Sequence, residues 1–87
     1  AITPPDFEVY PNPTIGEVTV DLKAYADRAI RLELYDIHGK ILKILTIEPV
    51  ETMTANLDLS VYQNGIYLVR IKSEGLPDAT KRIVLNR

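Results

Sequence analysis

Alternation of apolar and polar side chains with a period of two is the feature that most limits how this chain can fold. Four stretches show it clearly: 17–22, 30–35, 53–60 and 66–72. In each stretch the apolar side chains fall on one face of an extended chain and the polar side chains on the other, which is typical of a half-buried β-strand. The pattern therefore predicts strands that each turn one face toward a common core.

Three further strands complete the prediction. Residues 7–10 form a short segment expected at a sheet edge, 41–47 form an apolar run, and 80–86 form a last strand with Ile83 and Leu85 turned inward. Residues 23–28 are too few for a stable helix, so we expect a loop or a single helical turn there. A second loop is expected over 73–79. Seven short strands separated by turn residues predict an all-β fold, a seven-stranded antiparallel immunoglobulin-like β-sandwich.

The run at 41–47 leaves its placement open. It has apolar residues on both faces, so it is either a central strand covered on both sides or a strand with a bulge that switches faces. It follows Asp36-Ile37-His38-Gly39-Lys40, where a glycine that can adopt positive φ between two apolar runs predicts a β-hairpin.

Length and composition agree with one small β domain. The chain has 87 residues, of which 24 are Ile, Val or Thr, and these β-branched side chains favour strands. We assign residues 1–6, with two adjacent prolines, to the end of a linker and residues 7–87 to the domain. The chain starts without the pattern of a signal peptide, so we expect an export signal only outside these residues, in a longer protein of which this domain is a part.

Charge and cysteine content exclude several classes of function. The net charge is −2, from 12 acidic and 10 basic residues without a block of either sign, and nucleic-acid binding is therefore not expected. The absence of cysteine excludes disulfides and thiolate chemistry. No apolar run approaches the roughly 18 residues of a membrane span.

The inventory of reactive side chains is too small to predict an enzyme. His38 is the only histidine, and Ser60 and Ser73 are the only serines, so no catalytic triad is predicted. We expect His38 to be an exposed residue of its turn. The acidic residues are scattered, and Glu48 and Glu51 flank a proline turn, so we predict no metal, no catalytic pair of carboxylates and no cofactor.

Four motifs nevertheless occur in a characteristic order. They are Val9–Gly16 with Pro11-Asn12-Pro13, Leu34–Lys40, Leu57–Ser60 followed by Asn64–Ile71, and Lys81–Arg87. In this order they resemble the C-terminal sorting domain, type A, of proteins that Bacteroidetes secrete through the type IX secretion system. The resemblance covers about residues 7 to 87, and the ordered set is far more specific than any one motif.

The resemblance implies a non-catalytic domain that directs an upstream cargo protein through the outer-membrane translocon. It implies the shuttle, the translocon and a sortase-like peptidase as partners, and removal of the domain by that peptidase. It also implies transit through the periplasm, followed by a location at the cell surface or outside the cell.

The terminal strand is the recognition element that the resemblance implies. The residues concerned are Lys81, Arg82, Ile83, Val84, Leu85, Asn86 and Arg87. Such a strand could dock on an acidic partner surface or extend its sheet by edge pairing, while Ile83 and Leu85 complete the core and the bases guard the edge. A second set of residues is interpreted as fixing the turns: Pro11, Asn12, Pro13, Gly16, Gly39, Lys40, Asn64 and Gly65.

Two other functions remain compatible with a small β-sandwich. One is a carbohydrate-binding or adhesive module of a secreted glycosidase, for which an exposed row of tyrosines would serve as the platform. The candidates are Tyr10, Tyr25, Tyr35, Tyr62 and Tyr67, of which Tyr67 fits the core better. The other is a spacer of the immunoglobulin or fibronectin type. We expect a monomer, although short loops beside edge strands would also permit a strand-exchanged dimer.

Overall fold

The structure, a computed structural model, describes residues 5–47 and 53–87. The strands are β1 (Val9–Tyr10), β2 (Glu17–Asp21), β3 (Ile30–Asp36), β4 (Ile41–Ile47), β5 (Thr54–Asp58), β6 (Gly65–Ser73) and β7 (Leu76–Leu85), with one 3-10 turn at Lys23–Tyr25. The first four residues of the predicted linker and the predicted turn at Glu48–Glu51 lie outside the described residues.

The strands form two sheets that pack face to face. One sheet has the order β1-β2-β5 and the other the order β4-β3-β6-β7, and every pair of neighbouring strands is antiparallel. This arrangement confirms the predicted immunoglobulin-like β-sandwich. The single helical turn between β2 and β3 agrees with the prediction for 23–28.

The core lies between the sheets and consists mainly of the inward side chains that the alternation predicts, together with Tyr25 and Ala79 from segments predicted as loops. Its buried apolar members are Phe7, Val18, Val20, Leu22, Tyr25, Ile30, Leu32, Leu34, Leu57, Leu59, Tyr67, Val69, Ile71, Ala79, Ile83 and Leu85. Met53, which continues the predicted alternation of β5, is instead 57% exposed because the strand begins after it.

A bulge in β4 decides between the two placements left open by the sequence. Leu34 pairs with Lys43 but Tyr35 pairs with Ile41, so the register shifts by one residue at Leu42. Since a bulge reverses the faces of the residues beyond it, Leu42 packs against the core together with Leu45. The strand lies at the edge of its sheet, and the central placement is therefore wrong.

The prediction of a loop over 73–79 is also wrong. β6 and β7 form a hairpin whose tip is Glu74–Gly75, with Ser73 opposite Leu76 and Gly75 at φ +82°. Pro77 lies where the register between β6 and β7 shifts by one residue, at the edge of the sheet. Proline is tolerated in such positions because it need not donate to a ladder.

Among the described residues, no helix has the length and apolar character needed to cross a membrane.

Substitution of an inward residue should cost far more stability than substitution of an outward residue in a neighbouring strand. Leu32 in β3 is fully buried, so Leu32→Ala is expected to lower the free energy of unfolding by about 2–5 kcal/mol. Ile44 in β4 is 44% exposed, and Ile44→Ala is expected to cost under about 1.5 kcal/mol. Urea unfolding of the two variants measures both values, and equal losses would contradict the assigned faces.

Candidate functional site

The turn that contains Pro11-Asn12-Pro13 lies along the outer edge of β7. The peptide bonds before both prolines are cis. The Asn12 side chain donates from Nδ2 to the Arg82 carbonyl at 2.8 Å and accepts the Val84 N–H at Oδ1 at 2.9 Å. One amide side chain thus supplies the donor and the acceptor that a neighbouring strand would otherwise provide.

The backbone of Thr14 continues this edge contact. Its N–H donates to the Val84 carbonyl at 2.8 Å, and its carbonyl accepts the Asn86 N–H at 2.9 Å. These bonds form a parallel bridge between Thr14 and Leu85, although β1 before the turn and β2 after it belong to the other sheet. The turn therefore connects the two sheets and occupies the edge of β7 between Arg82 and Asn86.

The side chain of Thr14 holds the turn in place. It is 1% exposed, its Oγ1 donates to the Glu17 carbonyl at 2.7 Å, and it accepts the Gly16 N–H at 3.1 Å. Sequence reasoning does not single out this residue, although a threonine that bonds its own backbone two residues on is typical of turns. Gly16 does not adopt positive φ, and a Cβ at this position would lie at an ordinary 3.7 Å from the Ser60 Cβ. The structure therefore does not support the interpretation that this turn requires glycine at position 16.

Asn64 holds the last residue of the chain. Its Oδ1 accepts the Arg87 N–H at 3.0 Å, and its Nδ2 donates to the Arg87 carbonyl at 3.4 Å. The Arg87 guanidinium donates to the carbonyls of Ser60, at 2.8 Å, and of Tyr62. We call Asn12, Thr14 and Asn64 the terminal clamp, because together they bind the backbone of residues 82–87.

The three bases of the terminal segment point in different directions. Lys81 Nζ lies 2.9 Å from Asp6 Oδ1, in an exposed ion pair, while Arg87 is engaged by the carbonyls described above. Arg82, opposite Leu68, projects from the outer face of the four-stranded sheet. The terminal bases therefore do not form one basic patch.

The apolar residues of the segment divide between the core and the surface. Ile83 and Leu85 are buried, so their predicted part in the core is confirmed. Val84 is half-buried and faces outward, and Asn86 is exposed. Because the clamp already occupies the backbone edge from 82 to 86, a partner could pair with that edge only by displacing the turn.

The predicted hairpin between β3 and β4 lies near the same end of the domain. The Asp36 carboxylate accepts the N–H groups of His38 at 2.8 Å and Lys40 at 3.0 Å, and Gly39 adopts φ +84°. The hairpin and the Asn64–Gly65 turn together line a shallow cleft of about 250 Å³. His38 is exposed, as predicted for a turn residue.

Hydrogen bonds in the turns lower the pKa values of two carboxyl groups. The Lys40 N–H, followed by the His38 N–H, holds the pKa of Asp36 below its ordinary value. Hydrogen bonds from Ser60 lower the pKa of Asp58 in the same way. Asp21 likewise accepts the Lys23 N–H at 2.9 Å. These acidic residues therefore cap turns by accepting backbone N–H groups. Among the described residues, no group of three or more His, Cys, Asp or Glu side chains is placed to hold a metal ion.

The tyrosines do not form a platform for a sugar ring. Tyr25 and Tyr67 are buried, and Tyr62 is tilted by 39° against Tyr67. Tyr35 lies beneath the Arg70 guanidinium, 5.0 Å from the ring centroid, whereas Tyr10 lies on the other sheet. This placement does not favour the carbohydrate-binding alternative.

Removal of the Asn12 side chain should destabilise the domain locally. We expect Asn12→Ala to lower the free energy of unfolding by about 1–2 kcal/mol, because two hydrogen bonds to the edge of β7 are lost. Asn86→Ala is the matched control, since its clamp contact is made by the backbone N–H. Chemical denaturation of both variants tests this, and equal stabilities would contradict the role of Asn12.

Acid should weaken the β3–β4 hairpin through Asp36. The pKa of Asp36 is lower in the folded chain than its ordinary value of 3.8. The contribution of Asp36 to folding stability is therefore complete above pH 3.8 and is lost as the pH falls through the folded pKa. Asp36→Asn keeps an acceptor oxygen but cannot titrate, so its stability should fall less steeply than that of the wild type below about pH 4. Urea unfolding across the acid range measures this, and parallel curves would contradict it.

Comparison with known proteins points to secretion. A family model described as "Secretion system C-terminal sorting domain" matches residues 8–86. No curated protein matches the chain significantly. Among solved structures, a DUF3244 family protein from Bacteroides vulgatus, with an immunoglobulin-like β-sandwich fold, superimposes with a TM-score of 0.72 at 13% identity, covering 99% of this chain and 100% of the other. That likeness concerns the fold alone.

Proposed function

Since the chain belongs to the family of secretion system C-terminal sorting domains, we propose that it directs an upstream cargo protein through the outer-membrane translocon of the type IX secretion system. The domain acts without catalysis, as a sorting signal that the secretion machinery recognises. Its cargo passes through the periplasm and reaches the cell surface or the medium, and a sortase-like peptidase removes the domain at the end of export.

The terminal clamp is the observation that supports this function. Sorting requires a folded feature that is the same whatever cargo precedes it. The clamp binds the backbone of Arg82 and Val84 through Asn12, which lies 70 and 72 residues earlier in the sequence. It binds the backbone of Arg87 through Asn64, which lies 23 residues earlier. The terminal strand is therefore presented in one conformation by contacts made entirely within the domain.

Recognition of the segment Lys81–Arg87 then depends on the side chains that the fold leaves accessible. Arg82, Val84 and Asn86 meet this condition, whereas Ile83 and Leu85 are buried. We assign recognition to the accessible members and fold stability to the buried members. The shuttle and the translocon are the partners proposed to read the segment.

Export of a reporter tests the function. A signal-peptide-bearing reporter fused to residues 1–87 is expected to reach the surface of a type IX-competent bacterium, where added protease degrades it on intact cells. The fusion lacking 81–87 should remain in the periplasm. Because this deletion also removes Ile83 and Leu85 from the core, it counts only if circular dichroism and melting show a folded domain.

A point variant separates recognition from folding. Arg82→Glu reverses an exposed charge of the segment and should retain the reporter in the periplasm, whereas Thr80→Glu, exposed on the same strand two residues earlier, should not. Normal export of Arg82→Glu would show that the secretion machinery does not recognise Arg82. Periplasmic retention of the unmodified fusion would contradict the sorting function itself.

A further inference from the structure

The outward face of the four-stranded sheet combines apolar and cationic side chains. Register places six apolar side chains on it: Tyr35, Ile41, Ile44, Ile66, Leu68 and Val84. Four cations lie on the same face: Arg31, Arg70, Lys72 and Arg82. We call this surface the basic–apolar face. β3 and β6 run through its middle, and the edge strands β4 and β7 form its two margins.

The carboxylate on this face offsets only part of its positive charge. The Glu33 side chain is 2% exposed and lies 2.9 Å from Arg31 Nε, 3.9 Å from Lys72 Nζ and within hydrogen-bond distance of the Tyr35 hydroxyl. Among the residues that pair across neighbouring strands of this sheet, Glu33 is the one acidic residue whose side chain points outward. Along the sheet, Arg31, Lys72 and Arg70 lie toward one end of the face, and the apolar side chains lie toward the other: Tyr35, Ile41, Leu68, Ile66 and Val84.

The outward face of the other sheet has the opposite character. Glu17 pairs with Asp58, Thr19 with Asn56 and Asp21 with Thr54, so the outward positions of β2 and β5 carry three carboxylates and no cation. The chain as a whole has more acidic than basic residues. The concentration of cations on one face is thus a property of that face and not of the composition.

Contacts between its own side chains order the basic–apolar face. Arg70 lies over the Tyr35 ring at 5.0 Å, and the Tyr35 hydroxyl donates to Glu33, which also binds Arg31. Side chains that are already held lose less entropy when a partner binds. Tyrosine and arginine are also among the side chains in which protein interfaces are enriched.

We propose that the basic–apolar face docks a partner protein whose surface carries acidic side chains beside an apolar area. The four cations require acidic side chains on the partner, and the isoleucine and leucine side chains require its apolar area. A polyanion would satisfy the cations and leave those apolar side chains exposed. A second copy docked face to face would add further cations and supply no accessible carboxylate, since Glu33 is buried. The acidic face of β2 and β5 offers Thr19 and Asn56 at its centre instead of apolar side chains. The inference does not rest on the sorting function.

A synthetic peptide of alternating glutamate and leucine is the probe. Titrated into the ¹⁵N-labelled domain, it is expected to shift the amide resonances of β3, β4 and β6, while a glutamate–serine peptide, a lysine–leucine peptide and dextran sulfate should not. Arg70→Glu and Ile44→Ser should each weaken binding about tenfold. Lys23→Glu, which makes the same charge reversal at an exposed residue of the 3-10 turn, should leave binding unchanged.

The spectra of the variants show whether each is folded, and Ile44→Ser tests the face without altering the Arg70–Tyr35 contact. The proposal is overturned if the glutamate–leucine peptide shifts no amides of these strands, or if Lys23→Glu weakens binding as much as Arg70→Glu. Equal shifts by dextran sulfate or by the glutamate–serine peptide would make the face a polyanion site and overturn it too. Self-association through these strands, detected by sedimentation equilibrium, would assign the face to a second copy and also overturn it.

Discussion

Four hydrogen bonds close the outer edge of β7, and the arrangement of the terminal strand depends on them. The Asn12 side chain supplies two of them and the Thr14 backbone supplies the other two. An edge strand normally presents unpaired N–H and C=O groups that can pair with another chain. Here a proline-bounded turn satisfies those groups between Arg82 and Asn86. Because the same turn leads into β2, the terminal strand is tied to both sheets.

This closure couples the proposed recognition of the terminal strand to folding. The terminal strand buries Ile83 and Leu85 in the core and directs Arg82 and Val84 outward. One segment therefore contributes both to the fold and to the proposed sorting signal. Loss of export in a variant of this strand is informative only when the domain still folds.

Local pattern was sufficient to predict the strands and most of the core, because alternation places Val18, Leu32 and Val69 inward whatever their neighbours are. It was insufficient where the outcome depends on another strand. The bulge at Leu42 and the extension of β7 back to Leu76 are both matters of register, which alternation within one strand does not determine. The clamp could not be predicted either, since it joins residues about 70 positions apart.

The two outer faces differ in a way that composition conceals. A nearly neutral chain places cations and apolar side chains on one sheet and carboxylates on the other, and the terminal strand lies at the margin of the basic side. Native-state hydrogen exchange at the Val84 and Asn86 amides tests the closure of β7 most directly, since these groups donate to Asn12 and Thr14. If the clamp holds the edge, both amides will exchange as slowly as those of the central strand β6. Exchange at the rate of an unfolded chain, with β6 still protected, would show that the edge is open and would contradict the clamp.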